Sequence, residues 1–197
     1  MDMNEIDDDA LDQLFRDARS HDAWQDEPVT PDLLRRVFDL TKMGPTSANC
    51  LPARFVFVST PAGKERLKPC LAPVNVEKCM SAPVVAIIAY DTRFYDHLPD
   101  LFPHADARSW FAGNEPLIEA TAFRNGTLQG AYFMLAARAL GLDCGPMSGF
   151  DNAKLDEAFF PDGRFKSNFI CAVGRGDPSA LPDRSPRFDF EDVCEIV

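Results

Sequence analysis

Hydrophobic positions along the chain follow two spacings, one typical of helices and one typical of buried strands. Helical spacing with a plausible N-cap or stop signal predicts helices over residues 8–18, 30–44, 60–71 and 151–159. Continuous apolar runs predict strands over 54–59, 84–90 and 169–173, and residues 142–148 fit a short strand or turn. Helices that alternate with strands predict a layered fold of the α/β or α+β class.

Three longer segments depart from this alternation. From Pro116 to Leu140 a helical pattern is apolar on most faces, as in a helix buried in a large core or a subunit interface. Residues 91–116 are rich in proline and aromatic side chains and lack a clean period, which is typical of a lid or a binding excursion. The tail from Gly174 onward is rich in Pro and Arg and predicts an extended arm.

The amino-acid composition and net charge limit the kinds of molecule that this protein can bind. The chain has 197 residues, is 46% hydrophobic and carries a net charge of −11, so it repels nucleic acid phosphates and anionic lipid surfaces. We therefore expect no nucleic acid partner and no membrane association. The acidic N-terminus lacks a secretory signal, and the cysteines show no C-x-x-C pair or metal-ligand spacing. We expect a cytoplasmic protein with free thiols and no metal.

Several common catalytic motifs are missing from the sequence. There is no G-x-G-x-x-G after a strand, no phosphate-binding G-x-x-x-x-G-K-[ST] and no G-x-S-x-G elbow. The histidines lie in predicted loops without metal-ligand spacing. The sequence therefore identifies no catalytic side chain.

Two polar segments in the first third of the chain could bind a flat, polar-edged ligand. Arg19 and Ser20 offer a guanidinium and a hydroxyl suited to phosphate, although an Arg at a helix C-terminus also balances the helix dipole. Thr46, Ser47 and Asn49 can hydrogen-bond a heterocycle edge, or they can satisfy their own loop backbone.

Two further segments have similar alternatives. The amide of Asn75 matches a pyrimidine-like edge, and Lys78 could stabilise negative charge on a reduced ring; both also fit a solvated helix turn. In the stretch from Gly145 to Asp151, Gly149 permits close approach of a ligand to the backbone. The same residues fit an ordinary tight connection between a strand and a helix.

In their order and spacing, these segments resemble the FMN-dependent nitroreductase family over nearly the full chain. The resemblance is greatest to its malonic semialdehyde reductase branch, from pyrimidine degradation. The matching strings are Arg19 to Trp24, Gly44 to Ala53, Phe102 to Trp110, Thr121 to Asn125, and Gly145 to Asp151. The third and fourth strings are specific to that branch, and the others belong to the wider family.

The resemblance implies an α+β (α/β three-layer) fold that forms a single domain over residues 1–197. A central mixed sheet is flanked by helices, a long helix lies at the centre of a homodimer interface, and the C-terminal arm is extended. FMN would sit at that interface, with NADH or NADPH as hydride donor. The implied FMN contacts are Arg19, Ser20, Pro45, Thr46, Ser47, Asn49, Asn75, Lys78, Pro146, Met147, Ser148 and Gly149, with Arg184 or Arg187 as a further phosphate ligand.

Some positions depart from the family pattern. Ala18 and Asp22 stand where many nitroreductases carry basic residues, and Leu51 and Ala53 replace the common Gln and Trp. We therefore expect FMN to be held more weakly, with the C-terminal arginines taking more of the phosphate.

The activity that the resemblance implies is ping-pong reduction of malonic semialdehyde to 3-hydroxypropionate by NAD(P)H. The substrate carboxylate requires a cation; Arg108 is the first candidate, followed by His104 and Arg124, and Arg108 could instead pair with Asp106. The alternatives are a broad nitro- or quinone-reductase, a flavin-binding protein without turnover, and an interaction module without flavin.

Overall fold

The computed structural model describes residues 5–197, and a four-stranded sheet in the order β1-β2-β4-β3 forms its centre. The strands are β1 (Ala53–Val58), β2 (Val84–Asp91), β3 (Asp143–Met147) and β4 (Phe165–Gly174). Strand β2 is buried along its whole length, as its continuous apolar run predicts.

The direction of the strands corrects one expectation. Each neighbouring pair in the sheet runs antiparallel, whereas the resemblance implies a mixed sheet. Within the described residues, parallel pairing is limited to a single bridge between Ser20 and Cys144. The bridge forms because the chain after the first helices runs alongside β3. The α+β class itself is confirmed.

Helices pack against both faces of this sheet. They are α1 (Asp8–Leu11), α2 (Pro31–Thr41), α3 (Pro61–Leu67), α4 (Pro73–Ser81), α5 (Leu98–Leu101), α6 (Arg108–Phe111), α7 (Glu115–Ala139), α8 (Asn152–Phe159) and α9 (Phe190–Val193). Among the described residues, none of these helices is both long and apolar enough to cross a membrane.

The predicted helix starts at Thr30, Thr60 and Asp151 are confirmed by their capping bonds. The Thr60 hydroxyl accepts the Gly63 N–H at 3.1 Å. The Thr30 hydroxyl accepts the Leu33 N–H at 3.2 Å, and the Asp151 carboxylate accepts the Lys154 N–H at 3.1 Å. The first predicted helix is shorter than expected, because α1 passes into a π-helical turn that ends at Arg16. Helix α4 has no clear apolar stripe and was not predicted as an element.

Helix α7 organises the core. Its buried positions recur every three or four residues and are Ile118, Thr121, Ala122, Asn125, Gly126, Gln129, Gly130, Phe133, Ala136 and Ala137. The opposite face leaves Leu117, Phe123 and Leu128 from 41% to 50% exposed. The helix is therefore apolar both toward the sheet and toward solvent.

The segment before α7 is better ordered than its sequence indicates. A 3₁₀ turn (Phe94–His97) and helices α5 and α6 pack their buried side chains into a small core with the start of α7. By contrast, the C-terminal arm after β4 is largely extended, and Phe188 and Ile196 are 79% and 88% exposed.

Close packing between α7 and β4 generates a stability prediction. A Cβ on Gly130 would lie 2.5 Å from the Phe169 ring, and such overpacking costs about 1–3 kcal/mol against a helix-propensity gain of up to about 1 kcal/mol. We expect Gly130→Ala to lower the free energy of unfolding, measured in urea at fixed protein concentration.

The control for this prediction is the Phe169→Leu background, which provides room for the methyl group. Gly130→Ala should cost less stability in that background than in the parent chain. An equal cost in both backgrounds would show that contact with the ring is not responsible.

Candidate functional site

The first group of candidate residues lies where the C-terminal arm crosses the segment after α1. Arg19 Nη2 donates to the Pro182 carbonyl at 2.5 Å, and Arg184 Nη2 donates to the Arg16 and Ala18 carbonyls at 2.6 Å and 3.1 Å. The two guanidinium groups thereby tie these two stretches of chain together; Arg19 is half-buried and Arg184 is exposed. Arg187 bonds to the carbonyls of Ser185 and Pro186.

A second group surrounds the turn after β3. Asn75 on α4 is buried, and its Nδ2 donates to the Gly149 carbonyl at 2.9 Å. Ser20 lies beside Cys144 through the parallel bridge. The backbone at Ser20 and the amide of Asn75 therefore approach β3 and its following turn from separate elements. Pro146, Met147 and Ser148 line a cavity of about 320 Å³ against α7.

The side chain of Lys78 lies one turn after Asn75 on α4 and has a partner. Its Nζ is 2.7 Å from the Asp22 carboxylate, and the Lys78 carbonyl accepts the Trp24 indole N–H at 3.3 Å. Asp22 is one of the positions that departs from the family pattern, and here it reduces the net charge beside Lys78. An ion pair this exposed contributes little to stability.

The side chain of His21 is buried and does not face solvent. The residue is 6% exposed, and its Nε2 is 3.5 Å from Asp143. A Cβ on Gly145 would collide with the His21 carbonyl oxygen, so glycine is required there for the chain at Ser20 to approach β3. His21 therefore holds the preceding Arg19 and Ser20 against the sheet.

The loop before β1, residues 45–52, contains the remaining candidates and is fixed to α7. The Ser47 N–H donates to Asn125 Oδ1 at 2.9 Å, and the Tyr132 hydroxyl donates to the Pro45 carbonyl at 3.0 Å. Asn49 Nδ2 donates to the Leu101 carbonyl at 2.8 Å. Thr46, Ser47 and Asn49 thus lie between α7 and the segment before it.

The two sets of candidates lie on different sides of α7. Asn125 and Tyr132 contact the loop 45–52, whereas Thr127, Ala131 and Met134 face Pro146, Met147 and Ser148 across the cavity. At about 100° per residue, these two faces of the helix are roughly half a turn apart. One protomer therefore does not bring the two sets together.

The three candidate cations for a substrate carboxylate differ in their surroundings. Arg108 lies 3.3 Å from Asp96 and over the Tyr95 ring, so its partner is Asp96 rather than Asp106. His104 is exposed and its ring packs against Phe102, with ring centroids 5.6 Å apart.

Arg124 differs from Arg108 because no described residue neutralises its charge. It forms no ion pair or hydrogen bond with the described residues. It lies on the exposed face of α7 and lines a groove of about 590 Å³ with Thr127 and Ala131, which also border the Pro146–Ser148 cavity. Arg124 is therefore the available cation beside that cavity.

Sequence reasoning missed the polar residues that support the loop. Asn125 and Gln129 are four residues apart on the buried face of α7, and they accept the N–H groups of Ser47 and Ala53 at 2.9 Å and 2.8 Å. Buried amides on an apolar helix require partners. Their spacing was a usable signal for a loop packed against this helix.

A buried carboxylate was also missed. Asp91 at the end of β2 has a fully buried side chain and binds Arg54 at 2.6 Å and Arg164 at 2.9 Å and 2.7 Å. Burial alone would raise the pKa of Asp91. The hydrogen bonds from Arg164 and the Arg93 N–H, with the charge of Arg54, outweigh burial and lower this pKa below its usual value.

Cys50 is a cysteine within the candidate loop. Burial raises its pKa to about 11, so it is a neutral thiol near neutral pH and not an activated nucleophile. All six cysteines are free, and Cys194 is exposed.

Comparison with known proteins identifies the class to which this fold and these residues belong. A family model described as the nitroreductase family matches residues 15–175, which is most of the chain. The protein belongs to the nitroreductase family.

Relatives of high identity support this membership. A protein from Burkholderia lata named as a candidate NADH dehydrogenase/NAD(P)H nitroreductase is 63% identical over 194 residues, covering 98% of this chain and all of that protein, 100%. A protein from Cupriavidus pinatubonensis with the same kind of name is 58% identical over 190 residues, with coverage of 95% and 97%.

Solved structures confirm the nitroreductase-like fold. A candidate nitroreductase from Bacillus subtilis superposes with a TM-score of 0.85 at 22% identity, covering 95% of this chain and 98% of that one. One from Exiguobacterium sibiricum, solved in complex with FMN, superposes with a TM-score of 0.81 at 18% identity, covering 99% and 100%.

The Asp91 ion pairs predict how stability depends on pH. A carboxyl whose pKa is lower in the folded state stabilises the fold above its unfolded pKa of about 3.9 and loses this contribution as pH falls. We expect Asp91→Asn to cost about 3 kcal/mol at pH 7, because it breaks a buried ion pair. The difference from the parent chain should shrink below about pH 4.

Urea unfolding across this pH range measures the effect. The matched control is Asp39→Asn, which removes an exposed pair with Lys42 and should cost less than about 1 kcal/mol. A cost for Asp91→Asn that stays constant down to pH 3 (well below the ordinary carboxyl pKa, about 3.9) would contradict the assignment.

Proposed function

We propose that this protein is an FMN-dependent NAD(P)H oxidoreductase that acts as a homodimer with FMN at the subunit interface. Membership of the nitroreductase family supports the general class. The observation that carries the proposal is the placement of the two candidate sets on different sides of α7. A second copy packed against the apolar outer face of α7 would supply the set that the first copy lacks.

The side chains present fit the chemistry of FMN. Arg19 and Arg184 provide two guanidinium groups suited to a phosphate. The Asn75 amide, the Lys78 ammonium and the hydroxyl of Ser20 provide polar partners for a ribityl chain and a ring edge. Asn75 already lies against Gly149, where a Cβ would come within 2.5 Å of its amide nitrogen.

When bound, FMN would supply the redox chemistry, by accepting hydride from NADH or NADPH and passing it to an acceptor in a ping-pong cycle. The protein would hold the flavin and polarise its ring. The turn Pro146–Gly149 would place backbone N–H groups beside the ring, and Lys78 would stabilise negative charge at the ring edge. The loop 45–52 of the partner copy, through Thr46, Ser47 and Asn49, would close the site from the other side.

We further propose malonic semialdehyde as the acceptor, reduced to 3-hydroxypropionate in pyrimidine catabolism. The string from Phe102 to Trp110 supports this choice over a broad nitro- or quinone-reductase. A carboxylate requires a cation in a protein with net charge −11. Arg124 serves better than Arg108, because Asp96 already neutralises Arg108, and His104 is a weaker candidate.

The visible absorption spectrum tests the general function first. We expect purified protein with added FMN to show bound flavin bands that bleach when NADPH or NADH is added without oxygen. Flavin that binds but does not bleach would indicate a flavin-binding protein without turnover. A chain that binds no FMN would contradict the proposal.

Two arginine variants test the choice of acceptor. Removing a charge-assisted contact costs about 1.5–3 kcal/mol, or roughly 10- to 100-fold in binding. We expect Arg124→Ala to raise KM for malonic semialdehyde by this factor and to leave KM for an uncharged aldehyde unchanged. Arg108→Ala is the matched control. If KM for malonic semialdehyde rises in Arg108→Ala alone, Arg108 rather than Arg124 binds the substrate carboxylate.

The proposed dimer is tested on the outer face of α7. We expect Leu128→Glu to weaken the dimer, because it places a charge on an apolar face that a second copy would cover. Light scattering after size exclusion measures the mass. Ile6→Glu is the control at an exposed apolar residue before α1, and equal masses for both variants would contradict the interface.

A further inference from the structure

The loop 45–52 contains three residues in the left-handed backbone region although none is a glycine. Ala48 and Asn49 have φ of 49°, and Leu51 has φ of 38°. This conformation crowds the Cβ of an L-residue, and asparagine tolerates it better than alanine or leucine. Strained residues of this kind persist when the surrounding structure fixes them, and they occur at functional sites.

Leu51 is the most unusual of the three, and both of its backbone polar groups are occupied. Its N–H donates to the Thr46 hydroxyl at 3.2 Å. Its carbonyl accepts from Arg54 Nη1 at 3.1 Å. The conformation of Leu51 is therefore linked on one side to Thr46, a candidate flavin contact, and on the other to the guanidinium of Arg54.

Arg54 is in turn held by the buried Asp91. Arg54 Nη2 binds Asp91 Oδ2 at 2.6 Å, and the Asp91 side chain has no exposed surface. The Asp91 N–H also donates to the Pro52 carbonyl at 2.9 Å. Asp91 therefore fixes the loop twice, through its own backbone at Pro52 and through Arg54 at Leu51.

The charge pattern around Asp91 distinguishes its two arginines. Arg164 binds the same carboxylate with two hydrogen bonds, and its side chain forms no hydrogen bond with the loop among the described residues. Arg54 makes fewer bonds to Asp91 but donates to the carbonyls of Leu51 and Ala53. Of the two arginines, only Arg54 therefore connects the Asp91 carboxylate to the loop.

We propose that Arg54 and Asp91 are positioning residues that hold the loop 45–52 in its strained, binding-competent conformation before the cofactor arrives. Without the Arg54 bond, Leu51 would relax toward negative φ and displace the Thr46 hydroxyl that is bonded to its N–H. The apparent affinity falls in proportion to the fraction of molecules with a competent loop. This inference rests on the proposed FMN site.

The test is Arg54→Gln, with FMN binding measured by quenching of flavin fluorescence in the full-length protein. We expect the dissociation constant for FMN to rise about tenfold, as the competent loop becomes a minor state. Amide hydrogen exchange at Cys50 and Leu51, measured without FMN, should accelerate in the same variant.

A second substitution separates positioning from a general loss of stability. Glycine adopts positive φ without strain, so Leu51→Gly in the Arg54→Gln background should restore most of the FMN affinity. The matched control is Arg164→Gln, which removes the other arginine of Asp91. It should lower the melting temperature but leave the dissociation constant for FMN and the exchange at Leu51 unchanged.

We call Arg54 and Asp91, which together hold the loop 45–52, the clamp. The outcomes distinguish a failure of the clamp from a failure of the proposed function. If the parent chain binds no FMN, the proposed function fails, and the exchange rates alone decide whether the clamp exists. Unchanged exchange at Leu51 in Arg54→Gln overturns the clamp. So does FMN affinity that falls equally in Arg54→Gln and Arg164→Gln and is not restored by Leu51→Gly.

Discussion

The packing of α7 against the sheet is the constraint on which the rest of the structure depends. Its sheet-facing side is closed to water, so the amides of Asn125 and Gln129 must find partners within the protein. The Ser47 N–H in the loop before β1 and the Ala53 N–H at the start of β1 provide those partners. The need to satisfy buried amides on a helix thereby fixes the path of the loop and the starting point of the edge strand β1.

The same constraint explains why strain is tolerated in the loop. The segment is held at Ser47 and Ala53 by α7 and at Leu51 by Arg54, so it has little freedom to relax. Non-glycine residues at positive φ also limit the conformations of the unfolded chain more than glycine would. The arrangement favours a loop that has its final shape before any ligand binds, because the conformational entropy of the loop is already lost during folding.

The sequence predicted the strands and the capped helices well, because hydrophobic period and N-cap chemistry are local signals. It placed β2 and α8 within one residue, but it ended α2 three residues too late and began β4 four residues too late. It missed α4, whose apolar residues form no stripe, and it implied parallel pairing that the sheet does not have. Asn75 and Gly149, which the resemblance assigns to the same cofactor, are hydrogen-bonded to each other in the structure. The ion pairs of Asp91 join residues 37 and 73 positions apart, and no local pattern indicates them.

The division of candidate residues between two faces of α7 has a genetic consequence under the proposed dimer. A two-fold dimer would contain two equivalent sites, each built from one set of each copy. Suppose one copy were defective around Asn75 and the other in the loop at Ser47. A mixed dimer would then have both lesions in one site and none in the other. Two inactive alleles could therefore complement each other within a single assembly, which a site contained in one protomer would not allow.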